Sequence, residues 1–152
     1  MTIRKTALLL AILWLLSVPS ALRRASADAP AQHTAGEEEF KLLPGPGKRV
    51  ELDGGLSFTY EFSEKPKLGM VVLKIQVFDK KKNKISPFII TGRSDMPSMR
   101  GAHDSGEQEF KLNKMNNYLL PMNVVMPGDW EVRLTFLRDG KVVFRGRLLF
   151  DV

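Results

Sequence analysis

The sequence predicts an all-β domain: two antiparallel sheets packed face to face as a sandwich. Three observations carry this. Apolar residues recur with a period of two in short runs, Gly and Pro recur at the breaks, and no stretch of ten residues beyond the N-terminal segment keeps a 3.6-residue apolar period.

The first element is not part of that domain. Met1-Thr2-Ile3-Arg4-Lys5 is a short positive start, followed by an apolar run from Ala7 to Leu16 and then Pro19 and Ala25-Ser26-Ala27-Asp28. A basic start, an apolar run and an A-x-A-type site describe a secretory signal peptide over residues 1–27. The alternative is an uncleaved anchor. Thr6 to Leu22 reaches the lower limit of about 17–25 residues for a membrane-spanning helix, and Arg23-Arg24 would mark its far end. Residues 28–39 hold Ala, Pro, Gln, His33, Thr, Gly and three Glu, with almost nothing to bury, and read as a flexible linker. The sandwich is assigned to residues 40–152.

Within it, Leu56, Phe58, Tyr60 and Phe62 alternate with Ser57, Thr59 and Glu61, the pattern of a half-buried strand. Met70–Phe78 places Val71, Leu73, Ile75 and Val77 on one face. Trp130–Phe136 places Trp130, Val132, Leu134 and Phe136 inward. Lys141–Val152 is a further strand, expected to bend or bulge near Gly146. Asp139-Gly140 between the last two supplies the positive φ angles of a tight hairpin turn. Four more runs, Lys48–Leu52, Ile85–Thr91, Glu107–Leu112 and Asn117–Val124, complete the set. Seven to nine strands in this length suit an immunoglobulin-like sandwich. Without cysteine there is no disulfide framework, so stability rests on the apolar core.

The net charge of +6 misleads. Arg4, Lys5, Arg23 and Arg24 lie in the first 27 residues with no acid among them, so four of the 23 basic residues belong to the leader. The remainder carries nineteen basic against seventeen acidic residues, or +2. That is no nucleic-acid footprint, which needs a basic patch or stripe on one face. Lys80-Lys81-Lys82-Asn83-Lys84 is the one local cluster, and with Asp79 and Asn83 it reads as a solvated turn between strands. Anionic-lipid or polyanion binding is the alternative reading of that cluster.

Enzymatic chemistry has no visible constellation. His103 adjoins Asp104 and Ser105, but a nucleophile, base and orienting acid come from separate parts of a fold. No G-x-S-x-G, HExxH, P-loop or dinucleotide fingerprint occurs. The protein is therefore expected not to be an enzyme.

Soft donors are the feature that stands out. Asp95-Met96-Pro97-Ser98-Met99-Arg100-Gly101-Ala102-His103 puts two thioethers and an imidazole within eight residues. Met115, Met122 and Met126 follow, so that five of the six methionines after the leader fall between positions 96 and 126. Cu(I) is a soft ion that accepts thioether and imidazole ligands, and outside the cytoplasm such a site has no thiol to oxidise. Met96, Met99 and His103 are the expected ligands, with Met122 or Met126 completing the set. The alternative is packing, since Met is a flexible filler of core gaps and Met-Pro pairs at 96–97 and 126–127 would plug one end of a sandwich. Trp130, after Pro127-Gly128, is expected to enter the core, with a cation–π contact to bound Cu(I) as a second role.

Taken in order, the leader, the strand-rich stretch, Met96-Pro-x-Met99 with His103, and Val125-Met126-Pro-Gly-x-Trp130 before a final hairpin resemble the YtkA-like and FixH-like group of small extracytoplasmic domains. Those pair a Met-Pro-x-Met-(few)-His segment with a later Met/Ala-x-Gly-x-Trp/Tyr strand opening. The resemblance covers Leu56 to Val152. It implies an immunoglobulin-like sandwich related in shape to periplasmic copper carriers, and FixH-type members are associated with copper delivery for haem–copper oxidase assembly. By position it implies Met96, Met99 and His103 as ligands. Arg100, directly after Met99, departs from the pattern, as does the lack of a clear membrane anchor.

The expectation is thus a periplasmic or secreted domain that binds or carries Cu(I), with a periplasmic or inner-membrane copper-handling protein as partner. No nucleic acid is expected, and membrane attachment only if the leader stays uncleaved, which would anchor the domain to the inner membrane. The competing expectation is an interaction module of a periplasmic or membrane assembly that holds no metal. Geometry separates them. A metal site needs the Met96 and Met99 sulfurs and a His103 nitrogen to converge on an open loop, whereas a module buries those sulfurs.

Overall fold

The computed structural model describes residues Glu39–Val152. The leader and all but the last residue of the linker lie outside them, with His33. Among the described residues, no helix is long and apolar enough to cross a membrane.

Among the described residues, eleven strands form two sheets. In chain order they are β1 (Lys41–Leu42), β2 (Val50–Leu52), β3 (Leu56–Phe62), β4 (Gly69–Phe78), β5 (Lys84–Ile85), β6 (Ile89–Asp95), β7 (Gln108–Glu109), β8 (Lys111–Leu112), β9 (Tyr118–Val124), β10 (Asp129–Arg138) and β11 (Lys141–Asp151). One sheet has the order β1-β11-β10-β6-β7. The other has β2-β3-β4-β9-β8, with β5 also on β4. Pairing is antiparallel except between β1 and β11. There the chain enters beside its own C-terminal strand, so no hairpin constrains the direction. All-β sandwich architecture is therefore as the alternation predicts.

The core is the sum of the inward faces. Val71, Leu73, Ile75 and Val77 from β4 are fully buried against Val132, Leu134 and Phe136 from β10. Burying each such side chain contributes about 1.5–3 kcal/mol. Phe58, Phe88 and Phe144 all contact Phe136, with ring centroids 4.8–5.7 Å away. Gly92 on β6 leaves room for Leu120 and Phe110, because a Cβ there would stand 2.7 and 2.9 Å from them. All these pairs and core residues lie within one compact unit, Glu37–Val152, which holds its own core.

Two expected strands are in fact crossings between sheets. Ile85–Thr91 breaks at Ser86-Pro87-Phe88, where Pro has no N–H for a ladder, and continues as β6 in the other sheet. Glu107–Leu112 breaks at buried Phe110, whose N–H donates to the Ile90 carbonyl (2.8 Å). The bulge expected near Gly146 lies elsewhere. Gly146 pairs in register with Leu134, and the irregularity falls beside Val143, between the Phe136–Phe144 and Leu137–Val142 pairs. Gly146 instead lets Leu43 approach, since a Cβ would sit 2.8 Å from Leu43 Cδ2. Asp139 and Gly140 do turn the hairpin with φ of 52° and 74°.

Candidate functional site

The loop from Met96 to Glu107 leaves the end of β6 and returns to β7. Three sets of side-chain bonds pin it to the sheet. Ser98 donates through its N–H (3.0 Å) and its hydroxyl to the Asp129 carboxylate, which holds that carboxyl below its ordinary range. Arg100 donates to both carboxylate oxygens of Glu131, at 2.8 and 3.3 Å. Arg93 forms a two-pronged ion pair with Asp104 and holds it in the ionised form. Beyond these, Ser105 extends the β6 ladder: its N–H donates to the Ser94 carbonyl and its Oγ accepts from the Ser94 N–H, both at 2.9 Å. The result is an ordered loop that places His103 immediately before two anchored residues.

Sequence alternation puts Glu131 on the outer face of β10. It is nonetheless 1% exposed, because Arg100 from the loop, Arg133 from its own strand (2.6 Å) and Arg147 from β11 (3.3 Å) close over it. Desolvation alone would raise its pKa. Hydrogen bonds from Arg100 and Arg133 outweigh it and bring the pKa to about 2. Arg100 is therefore bound to a carboxylate and does not line the cleft described next.

That cleft, of about 420 Å³, opens where the edge of β9 faces the 103–108 segment. β8 pairs with β9 only at Leu119 and Tyr118, so among the described residues the strand beyond has no paired neighbour on that side. His103, Met122 and Met70 all line the cleft, together with Trp130. Met122 stands opposite Val71 and Met70 opposite Asn123 in the β4–β9 pair, so both lie at this end of the sheet but on opposite faces, Met122 inward with Val71 and Met70 outward with Asn123. Met122 is buried and Met70 is 59% exposed. The His103 and Trp130 ring centroids are 6.3 Å apart.

The other expected ligands are placed differently. Met96 is 2% exposed and belongs to the apolar core, where its methyl group would meet a Cβ at Gly128. Met99 is 43% exposed and outside the cleft lining, and Met126 packs partly buried against the core. Met115 is exposed on the turn after β8. Two of the soft donors singled out in the sequence, His103 and Met122, thus share one cleft, and Met70 joins them. Sequence spacing gives no hint of Met70, because only the β4–β9 register carries it there. Among the described residues, no group of three or more His, Asp or Glu is placed to hold a metal. Trp130 is buried at 2%, and its Nε1–H donates to the Met126 carbonyl (3.1 Å).

No protein-family model and no curated protein matches this chain. Three solved chains do. One is FetP of uropathogenic E. coli strain F11, in its "as isolated" form and recombinantly expressed in the periplasm. It is 11% identical, with 70% of this chain and 93% of that one covered at a TM-score of 0.48. Neither the identity nor the superposition is close enough to transfer a residue or a role.

Proposed function

We propose that this is an exported, non-enzymatic β-sandwich domain that binds Cu(I) at the His103 cleft. One observation carries the reading: an imidazole from the 96–107 loop and a thioether from β9 line a single cleft open to solvent, with a second thioether, Met70, on the outer face of β4 at its rim. These are the donor types that a soft monovalent ion accepts. His103 and Met122 would hold the ion, and Met70, on the outer face at the rim, would serve as an exchange ligand. A donor exposed at the mouth suits a carrier, which must release its ion to an acceptor. The resemblance to YtkA-like and FixH-like domains agrees with the metal and with export, but it implied Met96 and Met99 as ligands. In this reading Met96 is core packing, and Met99 is exposed apart from the cleft. Arg100 is held on Glu131 and lies outside the cleft lining.

The test is an anaerobic Cu(I) competition titration of residues 37–152 against a chromophoric chelator. One equivalent should bind, with strong loss in His103→Ala and Met122→Leu and little change in Met99→Leu. Retention in the first two with loss in Met99→Leu would restore the loop ligands. No competition at all would leave the second reading, an interaction module, which the burial of Met96 favours.

A further inference from the structure

Cations gather at the end of the sandwich opposite the His103 cleft. The β4–β5 connection brings Lys80, Lys81, Lys82 and Lys84, the turn after β8 brings Lys114, and the β10–β11 hairpin brings Arg138 and Lys141. Phe88 shows that these turns share one end. It leads into β6, contacts Phe136 at 5.7 Å, and is bonded through N–H and carbonyl to the Tyr118 hydroxyl at the start of β9. All seven cations are exposed, and among the described residues none has a carboxylate within ion-pair distance. The acids at this end are Glu51, Asp53, Asp79 and Asp139, with Glu109 beside Ile89 and Leu112, and Arg49 and Lys111 add to the cations there. Asp79 is occupied in shaping the turn, where its carboxylate accepts from the Asn83 backbone (2.8 Å) and side-chain amide (2.9 Å). Lys82 at φ 65° completes that turn and leaves the lysines projecting.

Large apolar side chains stand among these charges. Met115 is 68% exposed, Ile89 54% and Leu112 49%. Charge and apolar exposure together decide the partner class. A single-stranded nucleic acid would need aromatic faces for its bases, and the exposed apolar groups here are aliphatic or thioether. An anionic bilayer needs cations for headgroups and flexible apolar side chains for the interface, and this end supplies both. We propose that this basic end docks on an anionic phospholipid surface. Docked so, the His103 cleft faces away from the membrane. The inference does not depend on copper binding, nor on whether the leader is cleaved.

The experiment is co-sedimentation of residues 37–152 with vesicles of phosphatidylcholine plus phosphatidylglycerol, beside vesicles of phosphatidylcholine alone. Binding is expected to the anionic vesicles only and to weaken as salt rises. Lys81→Gln/Lys84→Gln/Lys114→Gln, which removes the charges and keeps half of each methylene stem, should bind about tenfold or more weakly, in line with the cost per lost cation at such a surface. Arg138→Gln/Lys141→Gln should weaken it independently, while His103→Ala binds as the parent. Circular dichroism confirms that each variant is folded. Equal binding to neutral vesicles, undiminished binding in both charge variants, or binding to an oligonucleotide but not to vesicles would each overturn the proposal.

Discussion

The His103 imidazole and the Trp130 indole stand 6.3 Å apart, centroid to centroid, with their planes tilted by 42°. Trp130 is the only tryptophan in residues 37–152, because Trp14 lies in the leader. Its fluorescence therefore reports on this cleft alone. Cu(I) bound at His103 is expected to quench it saturably at one equivalent, and His103→Ala should abolish the quench. Quenching that persists in that variant would place the ion elsewhere.

Glu131 gives a prediction in pH. Its folded-state pKa of about 2 lies below the ordinary value of 4.5. A carboxyl held down by folding contributes stability that is full above its unfolded pKa and is lost as pH falls through the folded one. Stability should therefore drop between about pH 4.5 and pH 2. Glu131→Gln should flatten that part of the profile and cost about 3 kcal/mol near neutrality, the low end for breaking a buried pair. The low end applies because the three guanidiniums are partly exposed. Urea unfolding against pH measures both effects, and a parallel acid profile in the variant would refute the assignment.

Gly92→Ala tests the packing between the sheets. The new methyl would meet Leu120 Cδ2 at 2.7 Å and Phe110 Cε2 at 2.9 Å. Both belong to the core, so destabilisation of about 1–3 kcal/mol is expected from overpacking. An unchanged denaturation midpoint would show that Phe110 yields freely.

Met96→Ala separates packing from ligation. Removing a buried Met side chain should cost about 2–5 kcal/mol through lost burial and a residual cavity. Copper affinity of the folded fraction should stay near that of the parent. Loss of affinity without loss of stability would reverse the roles.

Much of the fold was legible because alternation reports faces directly. Val71 to Val77 and Trp130 to Phe136 are inward as their period of two requires. Asp139-Gly140 forms its turn because only such residues accept positive φ readily there. Ile85–Thr91 and Glu107–Leu112 were legible as β but not as crossings. An apolar run looks the same whether it stays in one sheet or changes to the other.

The candidate site was legible only in part. His103 and Met122 are marked by the clustering of soft donors, whereas Met70 lies 26 residues before Met96 and enters through strand register. Glu131 looked like any outward residue of an alternating strand. Alternation names the face of a side chain but not what closes over it, and here three arginines from different elements do.

The sequence by itself determined the sandwich class, the inward residues of its main strands and the reliance on a core without disulfides. These follow from local periodicity and composition, which each segment carries alone. The tertiary structure decided which methionine is core and which lines the cleft, that Glu131 is buried, and that lysines from separate turns share one end. Each depends on register and on loop anchoring between segments distant in sequence, and no property of a single segment encodes them.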